Sequence, residues 1–490
     1  MIEYNRYDLK QKWTIMKYMK DFDLMIVYAY ALRRNAILTD KGITEMLEEM
    51  ENEGVYSPRQ KISIDTGKFK IIQIAWYMFG FYAKGKTKKQ GDKKFVFSPL
   101  GNLLLDNIGD SEKVSKIFLT MLIGNPFRQP FSKMSGDFNI FPFRLLFNLL
   151  VDPRLSGKLY NDEVFFLVMF IKRCDKLTYE DLIQDILALR KTSVEEKLVE
   201  FKKQESVLAN SIHEWSYASQ LFQGAGILDI VEGESVGSLV QGNNTGHRAY
   251  RTNYVSLSQE VFPFVKRLLE KYPFYEKPYP EGEDAQGKFM EDIVMSFYSF
   301  YPKELLTEIG ETIGEENQEL LEIVSSINRY SRNEKHRDYD LFEDALADAF
   351  NLFKDVSARK ISGAGEPDVV CIYDVSEVHK KNFTIEAKST KNKLLEVHSS
   401  RLKQHRERHS LLYTIVVTPD FTPACIRDIK NEPITIIKAS VITNYFYQSI
   451  KRYGRELSYK TLDKLVEKSL GYDLTPILIE YIYSEFGVSY

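Results

Sequence analysis

The chain reads as a multidomain α+β protein: a mostly helical N-terminal half carrying winged-helix modules, then a C-terminal α/β domain built on a mixed central sheet. Three observations predict this. A length of 490 residues, with 44% hydrophobic and 28% charged, is ordinary globular composition with material for several cores. In the first half a unit recurs in which an apolar helix gives way to a glycine turn, strands and a polar or basic tip. In the last third, segments of helical periodicity alternate with short apolar strands, the pattern of an α/β core.

Bulk properties exclude several classes. The formal net charge is −3, so any basic surface for a polyanion has to be local. Cys174, Cys371 and Cys425 lie far apart with no CxxC pairing, which argues against a structural zinc site or a disulfide framework and fits a reducing cytoplasm. The opening "MIEYNRYDLKQKW" has no apolar stretch, and no segment approaches the apolar length of a membrane span. A soluble, cytoplasmic protein without a membrane partner is expected.

The N-terminal region, residues 1–278, contains the recurring units. In the first, about 35–110, apolar residues at helical spacing from Phe69 to Phe81 lead to Lys84, Lys86, Lys88 and Lys89 around a glycine turn. The strand "KFVFSP" and the helix "LGNLLLDN" follow, so the order is helix, basic hairpin, strand, helix. Candidate DNA contacts here are Lys68, Lys70 and the four lysines of the wing. The second unit, about 155–205, has a helix-turn-helix outline with Thr178 placed to cap its second helix, and no evident wing. The third, about 206–275, puts an amphipathic helix before a glycine turn, two strands and a polar tip from Gly242 to Arg251. Asn243, Asn244, His247, Arg248 and Arg251 on such a tip suit base edges or phosphates. The competing reading is a protein–protein scaffold with solvated turns.

From Tyr279 the stretch "YPEGEDAQG" marks a boundary, and residues 279–334 read as a linker with connector helices carrying Leu305, Ile309, Leu320, Leu321 and Ile323 between acids. Residues 335–490 then form the α/β domain. Its elements are the helix "YDLFEDALADAFNLF", the loop "KDVSARKISGAGE", two strands joined by the polar turn "YDVSEVHKKN", the basic helix "SSRLKQHRERHS" and the apolar strand "LLYTIVVTP". Asp368 sits at the mouth of the first of those two strands. In the second, "FTIEAKST", period-2 geometry turns Glu386 and Lys388 to one face.

A hairpin brings the three side chains together, and their types suit phosphodiester hydrolysis. That reaction needs a divalent cation on hard oxygen ligands, an activated water, and positive charge near the oxygens that gain negative charge. Asp368 and Glu386 supply ligands, the Ala387 carbonyl is a third oxygen, and Lys388 can orient the water or neutralise the phosphorane. Mg²⁺ suits such a site. Glu343 on the preceding helix offers a further catalytic or metal-binding carboxylate, with Asp344 as the competing choice. Arg401, Lys403 and Gln404 on the basic helix complete the candidate DNA contacts.

"EPDVV" followed by "IEAKS" resembles the PD-(D/E)xK nuclease motif, with Asp368 as the PD acid and Glu386-Ala387-Lys388 as the ExK element. The plan of the whole chain, with "SIDTGKFKIIQIAWYMFGFY" and "FVFSPLGNLLLDN" in front, "NPFRQPF" and "NIFPFRLLFNLL" following and this core last, resembles the AlwI family of type IIS restriction endonucleases. The catalytic part is similar to the FokI cleavage domain, which implies catalytic roles for Glu343, Asp368, Glu386 and Lys388. The tail "ITIIKASVITNYFYQSIKRYGRELSYKTLDKLV" fits that family's C-terminal helices.

The resemblance implies a Mg²⁺-dependent endonuclease whose N-terminal half binds double-stranded DNA at an asymmetric site and whose C-terminal domain cuts a fixed distance away. It also implies a cognate DNA methyltransferase, and pairing through a transient homodimer of the cleavage domain or with a small partner subunit. Three other readings remain open on the sequence: a strand-specific nicking subunit, a nonspecific repair or recombination nuclease, and a winged-helix regulator with an inactive nuclease-like domain. Against the last stands the intact acid, acid, lysine set inside an otherwise apolar segment.

Overall fold

The structure is a computed structural model that describes residues 10–34, 40–54, 64–78, 80–83, 94–128, 138–242, 246–278, 300–310, 315–333, 338–361, 363 and 365–486. The chain divides into two compact units, Met1–Glu311 and Thr312–Tyr490.

In the first unit the helices Phe22–Arg34, Asp40–Asn52 and Ile64–Tyr77 precede an antiparallel hairpin of β1 (Gly80–Ala83) and β2 (Lys94–Phe97). The next helix, Pro99–Asp106, starts where Ser98 accepts from the Gly101 amide at 3.1 Å, with Pro99 in the first turn. Gly101 is required by close approach, because a Cβ there would meet the Met78 carbonyl oxygen at 2.6 Å. The core is aromatic: the Tyr77 ring meets Phe118, Phe143 and Phe222 with centroids 6.1, 6.4 and 6.0 Å away. Those rings come from four helices spread along the first half of the chain, so they bind its local units into one body.

Several expectations are corrected in this unit. Thr178 does not cap the helix Lys176–Lys191; the cap is Asp175, whose Oδ1 accepts from the Thr178 amide at 2.8 Å. A carboxylate one step outside the helix reaches a free N–H that a side chain inside the first turn cannot. The third unit has four strands instead of two: β4 (Leu228–Val231), β5 (Ser235–Val240), β6 (His247–Arg251) and β7 (Tyr254–Leu257). β7 pairs antiparallel with β4 on one side and on the other with β3 (Leu159–Tyr160), a strand of the second recurring segment of the sequence (about 155–205), so the second and third recurring segments share a sheet. β5 and β6 form a separate hairpin, and His247–Arg251, read as tip, is its second strand.

The stretch read as a connector is divided. Helix Lys303–Glu308 packs in the first unit, where Glu308 pairs with Lys116 at 2.9 Å and with Arg267. Helix Glu315–Ser331 belongs to the second.

The second unit is built on a five-stranded sheet of β8 (Val356–Lys360), β9 (Val369–Ser376), β10 (His379–Ala387), β11 (Thr414–Thr418) and β12 (Ile434–Lys438), in the order β12-β11-β10-β9-β8. β8, β9 and β10 run antiparallel and β10, β11 and β12 parallel, which is the mixed sheet expected. Helices Ser399–His409 and Pro423–Ile429 make the two parallel crossovers. Every residue of β11 is buried, so it reads as a continuous apolar run, as a central strand does.

Two strands here were read otherwise. β8 lies in "KDVSARKISGAGE", read as loop, because Ser357, Arg359 and Lys360 dilute its apolar alternation at a sheet edge. β12 lies in "ITIIK", read with the helical tail. The hairpin turn is also tighter than read, since β9 reaches Ser376 and β10 starts at His379, leaving Glu377 and Val378. Among the described residues no helix is long and apolar enough to cross a membrane.

Candidate active site

Asp368, Glu386 and Lys388 meet where β9 begins and β10 ends. The antiparallel register pairs Ile385 with Val369, so the residue before β9 faces the end of β10. There the Ala387 amide donates to Asp368 Oδ2 at 2.8 Å. Lys388 Nζ lies 2.5 Å from Glu386 Oε1 and 3.9 Å from Asp368 Oδ2. Its own amide donates to the Val417 carbonyl at 2.9 Å, which ties the end of β10 to β11. Glu386 is 1% exposed, and its second oxygen, Oε2, is buried without a hydrogen-bond partner. A buried carboxylate oxygen left so carries a desolvation cost that a cation would offset.

Two carboxyls here have raised proton affinity. Burial, then the charge of Glu386, lifts the Asp368 carboxyl to about 6, against the pull of Lys388, the Ala387 amide and Arg401. Burial, then the charge of Asp368, lifts Glu343 to about 7, with Lys360 opposing. Glu343, on the helix Asp338–Phe350, therefore stands close enough to Asp368 to feel its charge. Asp344, the competing choice, is half exposed and turned to Lys360 at 3.1 Å.

Lys360 was not foreseen. At the end of β8, opposite Val369, its Nζ lies 2.5 Å from Asp340, 3.1 Å from Asp344 and 3.6 Å from Glu343. It is a clamp on the acidic face of that helix. The only signal for it is a lysine beside Arg359 in a segment whose pattern predicts a loop. His405, 3% exposed on the helix Ser399–His409, was missed as well; its Nδ1 is buried without a hydrogen-bond partner, and burial, then Arg401, lowers its pKa. The same helix fastens the approach to Asp368, since Arg408 and His409 pair with Glu366 at 2.9 and 2.6 Å. Arg401, Lys403 and Gln404 are all exposed on it, with Arg401 near enough to act on Asp368.

The remaining DNA-contact candidates are placed unequally. Lys84, Lys86, Lys88, Lys89, Asn243 and Asn244 lie outside the described residues. Lys68 is half-buried and paired with Asp40 at 2.8 Å. Lys70 is corrected: helical spacing turns it inward with Ile71 and Ile74, where it is 7% exposed, donates to the Tyr28 hydroxyl at 2.9 Å and is lowered by burial to about 8. Arg248 is held by His213 and Gln241 at 3.1 and 3.2 Å, while His247 and Arg251 are exposed on β6. No cluster of three or more His, Cys, Asp or Glu suited to a metal occurs among the described residues, so a cation at this site would rest on the Asp368 and Glu386 pair.

Comparison with known proteins gives the following matches. The model for the N-terminal domain of type II restriction endonuclease HgaI matches residues 8–272. The type II restriction enzyme HgaI of Avibacterium volantium is 36% identical over 488 residues, covering 97% of this chain and 98% of that one. A structure of restriction endonuclease FokI bound to DNA aligns over 89% of this chain and 85% of its own, at 9% identity and a TM-score of 0.27. A second FokI structure aligns over 95% and 100%, at 10% identity and a TM-score of 0.28. Those TM-scores are too low to equate the folds.

Proposed function

The chain belongs to the HgaI family of type II restriction endonucleases and is a site-specific deoxyribonuclease; on that premise we propose that Asp368, Glu386, Lys388 and Glu343 form its cutting site, of the PD-(D/E)xK kind. The observation that carries this is the buried Glu386, with one oxygen bound by Lys388 and the other unpartnered, beside a second carboxylate of raised proton affinity.

The donor set fits Mg²⁺, which takes one or two carboxylates together with substrate oxygens. Asp368, Glu386 Oε2 and the Ala387 carbonyl would hold it, with Glu343 as an outer carboxylate. When bound it supplies positive charge to the scissile phosphate. Lys388 anchors Glu386 through one N–H and keeps two further donors, which suit orienting the attacking water or offsetting charge on the phosphate oxygens. Glu343, at about 7, can hold or release a proton near neutral pH behind Asp368.

The first unit, matched by the HgaI N-terminal domain over residues 8–272, is proposed to read an asymmetric site in double-stranded DNA through winged-helix modules. The second cuts at a fixed offset, the type IIS mode. The division of the chain at Glu311 supports this separation of reading from cutting. A cytoplasmic setting with a cognate methyltransferase completes the reading. The narrower resemblance to the AlwI family rests on sequence motifs alone. Incubation with plasmid and Mg²⁺, beside an EDTA control, tests the function: discrete bands with Mg²⁺ alone are expected, and a smear or intact plasmid would refute it.

One specific feature keeps a second reading in view. Among the described residues the chain holds one such catalytic set, which engages one phosphate at a time, so cutting both strands calls for a second copy or a small partner subunit. Strand-specific nicking is the alternative outcome.

A further inference from the structure

A cavity of about 400 Å³ opens beside the candidate active site, and Glu386 and Lys388 form one end of its lining. Beyond them the lining sets the apolar Leu394, Leu395, Val397 and Leu402 beside the charged Lys393 and Glu396 and beside His398. At its rim stand Asn392 and Arg401. The segment carrying this wall, between β10 and the helix Ser399–His409, is bolted down along its length. The Thr390 amide donates to the Ser331 carbonyl at 2.9 Å, the Leu394 amide to Asp420 at 2.8 Å, and the Thr422 amide back to Leu394 at 2.9 Å. The Val397 amide donates to Asp428 Oδ2 at 2.9 Å, and Lys393 pairs with Asp420 at 2.9 Å. The cavity is therefore preformed. On this fixed wall Leu395 is 70% exposed, a large apolar side chain held away from the core.

We propose that this cavity receives the nucleoside flanking the scissile phosphate, with its base drawn out of the duplex stack and seated against Leu394, Leu395 and Leu402. The inference rests on the endonuclease reading of Asp368, Glu386 and Lys388, and deepens it. A phosphate engaged by Lys388 places the neighbouring sugar and base within one nucleotide of it, which is where the cavity begins. The leucines of the lining offer the face of a base the apolar contact it takes. Its volume lies in the range that encloses a small organic ligand. Arg401 at the rim suits the next phosphate along the strand.

The test uses the full chain and a duplex carrying its cut position, located by sequencing the ends of cut plasmid. 2-Aminopurine replaces the base on each side of that position in turn, and its fluorescence is read on binding in EDTA. A severalfold rise at one side is expected. Leu395→Ala should reduce that rise and slow cutting by roughly tenfold, the loss of one leucine's contact, while the gel shift of the duplex stays unchanged. Because Leu395 is exposed, this substitution leaves the packing intact. No rise at either side, in a protein that cuts plasmid with Mg²⁺, would overturn the pocket and leave the endonuclease reading standing. So would a rise that Leu395→Ala does not alter. Absence of cutting by the unaltered protein would overturn both.

Discussion

Glu386 and Asp368 share a buried corner with one ammonium group between them, and the charge imbalance of that corner sets the behaviour of each residue around it. Asp368→Ala or Glu386→Ala should abolish cleavage while specific DNA binding survives, since each removes a proposed cation ligand and both residues lie in the second unit. A cutting assay beside a gel shift checks this, and full cutting by Asp368→Ala would remove the site from consideration. Glu343 carries a pH signature. Its folded-state proton affinity is raised from 4.5 to about 7, so the folded protein keeps that proton longer than the unfolded chain does. The resulting penalty is absent below about pH 4.5, grows as pH rises and is complete above about 7. The interval corresponds to at most about 3 kcal/mol, and partial exposure cuts it to about 1 kcal/mol. In EDTA, Glu343→Gln should therefore raise the unfolding midpoint at pH 8 and leave it unchanged at pH 4.5. An equal effect at both pH values would show that the carboxyl does not titrate against Asp368.

At the scale of elements, the hairpin of β9 and β10 does the aligning and its neighbours fix it in place. The parallel pairing of β10 with β11 holds Lys388, and the ion pairs of Glu366 with Arg408 and His409 hold the entry to β9. In the first unit the helix Lys176–Lys191 offers a direct test of which residue starts it. Asp175→Ala removes a side-chain acceptor from the first turn and should cost about 1 kcal/mol, whereas Thr178→Ala, inside the turn, should cost clearly less. Thermal unfolding of the two variants in parallel separates them, and equal losses would contradict the cap. The hairpin and its acids were legible because glycine, proline and period-2 alternation mark them. β8 was not, because an edge strand buries little and its sequence needs few apolar residues. Lys70 was misplaced for a related reason: a lysine with an apolar stem can turn inward when a tyrosine hydroxyl meets its nitrogen.

For the whole molecule, the division into Met1–Glu311 and Thr312–Tyr490 gives the proposed separation of reading from cutting a direct test. Residues 1–311 expressed alone should bind the target without cutting it, and residues 312–490 should be poorly specific or inactive. Cutting at the native position by the second fragment would overturn the division of labour. One such proposed set among the described residues also predicts the time course. On the proposed reading an asymmetric target is bound by one reading unit, and the cutting units of two chains would meet only on DNA. Nicked plasmid should accumulate before linear product, and the second cut should speed up with enzyme concentration. Simultaneous cutting of both strands at a rate independent of concentration, with a stable dimer in sedimentation, would exclude this. Nicking that never proceeds to linear DNA would assign the chain to strand-specific cutting.

Local order in the chain was enough to bring the three side chains together: an acid at a strand mouth and an acid and a lysine two residues apart are a short-range pattern, and a tight turn leaves them few ways to be arranged. The α/β character of the second unit and its mixed sheet were determined in the same way, by periodicity. Only the tertiary structure decided what depends on approach between segments distant in sequence. It turned Glu343 instead of Asp344 toward Asp368, brought Lys360 onto the acidic helix, left Glu386 Oε2 without a partner, and closed a cavity between the end of β10 and the helix Ser399–His409. Burial and the partners of a buried group are properties of packing between elements, and no spacing along one element encodes them.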